Sequence, residues 1–223
     1  MFAATISRPD IAHDVNKLAR YSNNPTQAHC NLAKQILQYI YHTRDRALAL
    51  GGDKLSLYAY SDADFAGDSE DRKSTGGYAV FLGTGTVAWA SKKQSIVALS
   101  STESEYIALS EVTCEILWTL RLLQDFNLIF HDPTTIYEDN QGTIAFATNQ
   151  MAIRHMKHID VKYHFIRHQI SEGTIKLKYK PTTEMTADIF TKFLAPSTYQ
   201  FHSSSLGLTT STLEGECRST SVL

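Results

Sequence analysis

No run of apolar residues in this 223-residue chain approaches the about 20 that a membrane-spanning helix needs. The opening MFAATISRPD also lacks the charged-then-apolar order of a secretory signal, so an intracellular protein without a membrane anchor is expected. Cysteine is scarce: Cys30, Cys114 and Cys217 are odd in number and far apart, which argues against a disulfide framework and against a paired-cysteine zinc site. Cys114 reads as a small core residue. A charge excess is missing too, the net charge being −2, and nucleic-acid binders usually carry a positive surplus somewhere.

What is present is the composition of an ordinary globular protein, 43% hydrophobic and 20% charged, enough for one full core with flanking pieces. The average charge hides an asymmetry. Between Arg154 and Lys180 stand seven Lys or Arg and four His against two acids, Asp160 and Glu172. Such a stretch is either a solvated basic face or a phosphate-facing surface. His155, His158, His164 and His168 include spacings that zinc could use, but no cysteine accompanies them.

Periodicity predicts two helices in residues 1–50, one after Pro9-Asp10 carried by Ile11, Val15, Leu18 and Ala19, the other from about Thr26 to Thr43. Beyond the Gly51-Gly52 break, Leu55, Leu57 and Ala59 alternate with polar residues in a strand that runs into Asp62. Two more strands follow, joined through Gly83-Thr84-Gly85, making three antiparallel strands. A long helix from about Thr102 to Asn127 is entered through Ser100, with Glu103 at capping-box spacing. At about 100° per residue, Leu109, Val112, Ile116 and Leu123 share a face with Glu105, which sets a carboxylate in an apolar stripe. A strand from Thr134 to Glu138, helices to about Asn149 and from 157 to 171, a strand from Thr174 to Tyr179 and a last helix over 185–193 complete the order. The reading is an α/β fold with a five-stranded mixed sheet, in βββαβαβα order, flanked by helices. Its first and fourth strands should be parallel neighbours. Residues 197–223, rich in Ser and Thr, read as a disordered tail.

If those strands are neighbours, Asp62 and Asp139 meet at one sheet edge, Glu105 joins from the long helix and Asp188 from the last. Each acid alone has a duller account, as a turn cap or a helix-start residue. Together they cannot all stay ionised without a cation, and oxygen-only ligation calls for a hard ion, Mg²⁺ or Mn²⁺. Two such ions suit in-line attack of water on a phosphodiester. Asp64 shares the strand face of Asp62 and competes with it for the role of ligand.

The segments YSDADFAGDSEDRKSTGGY (60–78), WASKKQSIVALSSTESEYIAL (89–109), EDNQGTIAFATNQ (138–150), KHIDVKYHFIR (157–167) and ADIFTKFL (187–194) closely resemble the ribonuclease H domain of copia-type retrotransposon Pol polyproteins. The resemblance covers about residues 55–195. It implies the ribonuclease H-like fold, cleavage of the RNA strand of RNA/DNA hybrids, two Mg²⁺ ions for which Mn²⁺ can substitute, and Asp62, Glu105, Asp139 and Asp188 as catalytic metal ligands. Residues 7–29 and the helix ending near Tyr41 resemble the tail of the copia-type reverse transcriptase, so 1–50 is expected to be its helical remnant and 51–196 the ribonuclease H domain. No paired-aspartate polymerase motif is present. Implied partners are the hybrid and the palm and fingers of the parent polyprotein, with the chain a monomer in the cytoplasm, in a virus-like particle or in the nucleus.

Three departures from the family stand out. The route 179–184 has no histidine where cellular ribonucleases H carry one, Phe65 replaces a common tryptophan, and Glu138 adds a charge beside Asp139 where a small residue is usual. For substrate, Lys92 and Lys93, the hydroxyls of Ser101 and Thr102 at the start of the long helix, and Asn140 and Gln141 suit phosphate, sugar or groove contacts. The rival reading is a decayed or domesticated fragment that binds nucleic acid through the basic stretch without turnover.

Overall fold

A computed structural model of the chain describes residues 1–52, 55–148 and 160–210. In chain order it contains α1 (Phe2–Ile6), α2 (Ala12–Ala19), α3 (Gln27–His42), β1 (Arg46–Leu48), β2 (Leu57–Asp64), β3 (Thr75–Leu82), β4 (Gly85–Lys93) and α4 (Ser101–Asp125). There follow β5 (Thr134–Glu138), α5 (Gln141–Thr148), α6 (Asp160–Ser171), β6 (Ile175–Tyr179), two 3-10 turns (Thr182–Glu184 and Thr186–Phe190), α7 (Pro196–Ser205) and β7 (Leu208–Thr210). The main sheet has the order β4-β3-β2-β5-β6. β2 is antiparallel to β3 and parallel to β5, and β5 is parallel to β6. This is the five-stranded mixed sheet of the ribonuclease H-like fold, with the first and fourth strands of the expected order side by side.

Alternation within the strands sorts their side chains onto two faces. One face, with Leu57, Ala59, Val80 and Ile136, packs on α4 and α6 through Leu109, Val112, Ile116 and Ile166. The apolar stripe that carries Glu105 is therefore the one that meets the sheet. The other face, with Tyr60, Ala79 and Phe81, is covered by Met185, Ile189, Phe190, Leu206 and Ala12. Ser100 caps α4 by accepting from the Glu103 N–H at 3.2 Å, as expected, but Glu103 reaches one residue past the cap of a capping box and accepts from the Leu99 N–H at 3.0 Å. Cys114 is exposed. It stands about 180° from Glu105 around the helix, on the solvent side of α4 and not in the core.

Two parts differ from the sequence reading. The element over 185–193 is a 3-10 turn, not an α-helix. Residues Thr186 to Phe190 are all buried, so every side of the turn faces protein, and β-branched Thr186 and Ile189 favour α-helix weakly. The tail expected to be disordered from 197 is ordered through Thr210: Pro196 opens α7 at a position that needs no N–H, and Leu206 and Leu208 are buried. The reason is long-range. β7 pairs antiparallel with β1 at the other end of the chain, and Thr86 Oγ1 donates to the Leu206 carbonyl at 2.8 Å. Residues 211–223 lie outside the described residues.

The helices before residue 50 lock onto the same face through a buried polar knot. Arg8 pairs with Asp10 at 2.8 Å, Tyr39 donates to the Asp10 carboxylate at 2.7 Å, Tyr199 of α7 donates to the Asp10 carbonyl at 2.9 Å, and Arg46 reaches Ser203 at 3.2 Å. Replacing Asp10 strands a buried guanidinium, so Asp10→Ala is expected to cost about 3 kcal/mol or more, read from urea unfolding. A loss under about 1 kcal/mol would show that the knot is peripheral.

Candidate metal centre

Strand register builds the centre. Tyr60 stands opposite Tyr137 on the parallel pair, so two residues further along each strand Asp62 comes level with Asp139. Glu105 reaches the same edge from the second turn of α4. One ligand atom from each of Asp62, Glu105 and Asp139 lies within 4.8 Å of the others. Asp188 approaches from the 3-10 turn over Gly77, where an added Cβ would come within 2.5 Å of Phe190 Cβ and 2.9 Å of Thr191 Cγ2. Gly77 is opposite Asp62 on β3, so its missing side chain is what lets the turn lie on the sheet.

The electrostatics follow from burial. Asp62, Glu105, Glu138 and Asp188 are all buried. Desolvation raises the pKa of Asp62 above the usual carboxylate range, against the pull of Lys192 and Thr191. Desolvation, then the charges of Glu138 and Asp62, push Glu105 well up; desolvation and Asp62 likewise push Glu138 up. Asp188 is pushed up to about 7 by desolvation and by Asp62. Glu105 Oε2 and Glu138 Oε2 are buried and have no hydrogen-bond partner among the described residues. Crowded, desolvated, partly orphaned carboxylate oxygens fit a hard divalent cation.

Asp64, the rival ligand, lies outside this group. It accepts a hydrogen bond from the Thr75 N–H and lies against Gly67, where an added Cβ would fall 1.8 Å from Asp64 Oδ2; burial pushes its pKa up to about 6. Three supporting residues escaped the sequence reading. Thr191 donates to Asp62, Lys192 Nζ lies 3.0 Å from Asp188 and 3.7 Å from Asp62, and Thr182 donates to Asp139 at 2.6 Å. Thr182 stands in the segment where cellular enzymes carry histidine. Lys192 follows Asp188 by one helical repeat in ADIFTKFL, the one local signal that could have found it. Glu138, noted as a departure, adds a fifth carboxyl to the field and accepts from the Asn140 N–H at 3.2 Å.

The residues expected to meet substrate divide. Lys92 and Ser101 are exposed, Gln141 is exposed at the start of α5, and Thr102 Oγ1 and Asn140 Oδ1 both lie 3.0 Å from the position a Cβ on Gly142 would take. Asn140 also accepts from the Thr143 N–H at 3.0 Å, as a cap of α5. Lys93 differs from the expectation: it is held by Asp68 at 2.5 Å and Asp71 at 2.9 Å, anchoring the loop after β2. Of the basic stretch, Arg154, Lys157, His155 and His158 lie outside the described residues. Lys180 sits over the Tyr60 and Tyr137 rings, and Lys162 donates to Ser110 at 3.1 Å.

No protein-family model matches the chain. It is 40% identical over 203 residues, 91% of its length, to the retrovirus-related Pol polyprotein from transposon RE2 of Arabidopsis thaliana, and 38% identical over 208 residues, 93% of its length, to that from transposon TNT 1-94 of Nicotiana tabacum. The chain belongs to the copia-type Pol polyproteins. It spans 14% of the first relative and 16% of the second. Among solved structures, LC11 ribonuclease H1 in complex with an RNA/DNA hybrid overlaps 61% of this Pol segment and 94% of that chain, with a TM-score of 0.43 and 16% identity.

The raised carboxyl pKa values set a pH dependence for this Pol segment. Between the unfolded carboxyl values of about 4 and the folded value of about 7 for Asp188, the folded chain binds more protons than the unfolded one, so stability falls as pH rises through that window. A divalent ion that binds only the folded state opposes the fall. Unfolding free energy in EDTA is expected to decline from about pH 4 to about pH 7, with Mg²⁺ restoring it at the upper end. A flat profile in EDTA, unmoved by Mg²⁺, would contradict this account of the centre.

Proposed function

We propose that the chain is the ribonuclease H of a copia-type element, hydrolysing the RNA strand of RNA/DNA hybrids to leave 3′-OH and 5′-phosphate ends. The observation that carries this reading is the convergence of Asp62, Glu105 and Asp139, from two parallel strands and the crossover helix, within 4.8 Å at the open edge of the sheet in a chain of this family. Together with Asp188 they would hold two Mg²⁺ ions, for which Mn²⁺ can substitute. When bound, such ions lower the pKa of water and stabilise charge on the leaving oxygen.

The protein's own share is positioning. Thr191 fixes Asp62 and Thr182 fixes Asp139, so both carboxylates are held by hydroxyl donors before any ion arrives. Lys192 offsets part of the negative field. Ser101, Thr102, Asn140 and Gln141, at the starts of α4 and α5, would take phosphate and sugar oxygens, with Lys92 further along the same edge. Choice of RNA over DNA would rest on the 2′-OH and groove shape, since so few groups cannot read base sequence. The enzyme would act inside the cell beside the palm and fingers of its parent polyprotein, in the reverse transcription of the element.

The purified chain with Mg²⁺ or Mn²⁺ is expected to cleave a labelled RNA/DNA hybrid and spare the matching duplex DNA. Asp139→Asn, isosteric but short of one charge, should lower the rate by about a hundredfold or more while still binding the hybrid. Wild type that leaves the hybrid intact with both metals would sink the enzyme reading in favour of a nucleic-acid-binding fragment.

A further inference from the structure

Beside the carboxylates lies a pocket of about 250 Å³, walled by α2, by the loop after β2 and by residues 191–193. The α2 wall is basic. His13, Lys17 and Arg20 follow at spacings of four and three, which places them on one face, roughly opposite Ile11, Val15 and Leu18 in helix phase. Lys17 Nζ stands 4.4 Å over the Phe193 ring, and the neighbouring Lys192 reaches back to Asp188 and Asp62. One short segment thus walls both the pocket and the metal centre.

The acids lining the pocket leave Lys17 without a partner. Asp68 is already engaged by Lys93 at 2.5 Å, with Arg20 at a longer 3.7 Å. Asp64 turns toward the Thr75 N–H. Lys17 has no carboxylate at ion-pair distance among the described residues. A cation without an acidic partner, held over an aromatic ring in the wall of a pocket, is suited to an anion from outside the chain. Duplex nucleic acid carries a phosphate charge about every 1.7 Å along its axis, so a duplex lying at the carboxylates brings phosphates past this pocket.

We propose that the pocket is a second phosphate site, in which Lys17 of α2 and Arg20 just after it, from the segment before residue 50, hold a backbone phosphodiester of the bound duplex next to the cleavage centre. The proposal rests on the nuclease reading for where the duplex lies. It makes α2 part of the substrate-binding surface.

The test is fluorescence anisotropy of a labelled RNA/DNA hybrid in EDTA over a range of salt concentrations, with cleavage in Mg²⁺ measured in parallel. Lys17→Gln is compared with Lys34→Gln, which removes an exposed charge from α3. Melting temperatures identify any variant that fails to fold, and Lys17→Arg restores the charge. Lys17→Gln should weaken binding about tenfold at moderate salt and lower the salt slope by about one, with Lys17→Arg and Lys34→Gln close to wild type. A folded Lys17→Gln with the affinity and salt slope of Lys34→Gln would overturn the pocket, and wild-type cleavage in that same experiment would leave the nuclease reading standing. Loss of binding in Lys17→Gln with no wild-type cleavage would do the reverse.

Discussion

Mutual repulsion among buried carboxylates is the constraint around which this molecule is arranged. Burial and the charges of Asp62 and Asp139 raise the pKa of Glu105, Glu138 and Asp188, and Asp62, Glu105, Glu138 and Asp188 are nearly cut off from water. No folded chain holds such a group together unless something else brings the acids there. Here that something is the sheet. The parallel β2–β5 pair sets Asp62 level with Asp139, the packing of α4 on the sheet turns Glu105 to the same edge, and the bare backbone of Gly77 admits the turn that carries Asp188. Each acid is fixed by strand pairing or packing elsewhere in the chain.

This explains why much of the centre could be read from sequence. Glu105 was legible because a carboxylate in the Leu109, Val112, Ile116 stripe is anomalous by helix phase alone. Asp62 and Asp139 were legible because strand, crossover helix, strand imposes parallel neighbours. Asp188 came only from family resemblance, and the turn that holds it is too short to have a helical period. Thr182 and Thr191 were not legible, since a threonine that donates to a carboxylate looks like any surface threonine until the third dimension is known.

The misread tail has a long-range cause. Strand β7 is three residues of a Ser/Thr-rich stretch, and its partner β1 lies more than 150 residues earlier. Local composition carries no trace of a partner at that distance. The Arg8–Asp10–Tyr39–Tyr199 knot is of the same kind, satisfied only when both ends of the chain come together. Lys93 was misassigned for the opposite reason: a lysine after a strand reads as free until Asp68 and Asp71 are seen to hold it.

The β1–β7 ribbon also bears on how this stretch of the polyprotein behaves as a unit of inheritance. A division at residue 50 falls between a strand and the rest of the domain that its partner closes. The two sides share the ribbon's hydrogen bonds and those of Tyr199 to Asp10 and Arg46 to Ser203, so they form a joint with no hinge in it. A protease, a recombination event or a cloning boundary placed there would separate one half of a ribbon from the other and leave both with open edges. The unit that holds together is then the longer block, the helices before residue 50 and the main sheet as one piece.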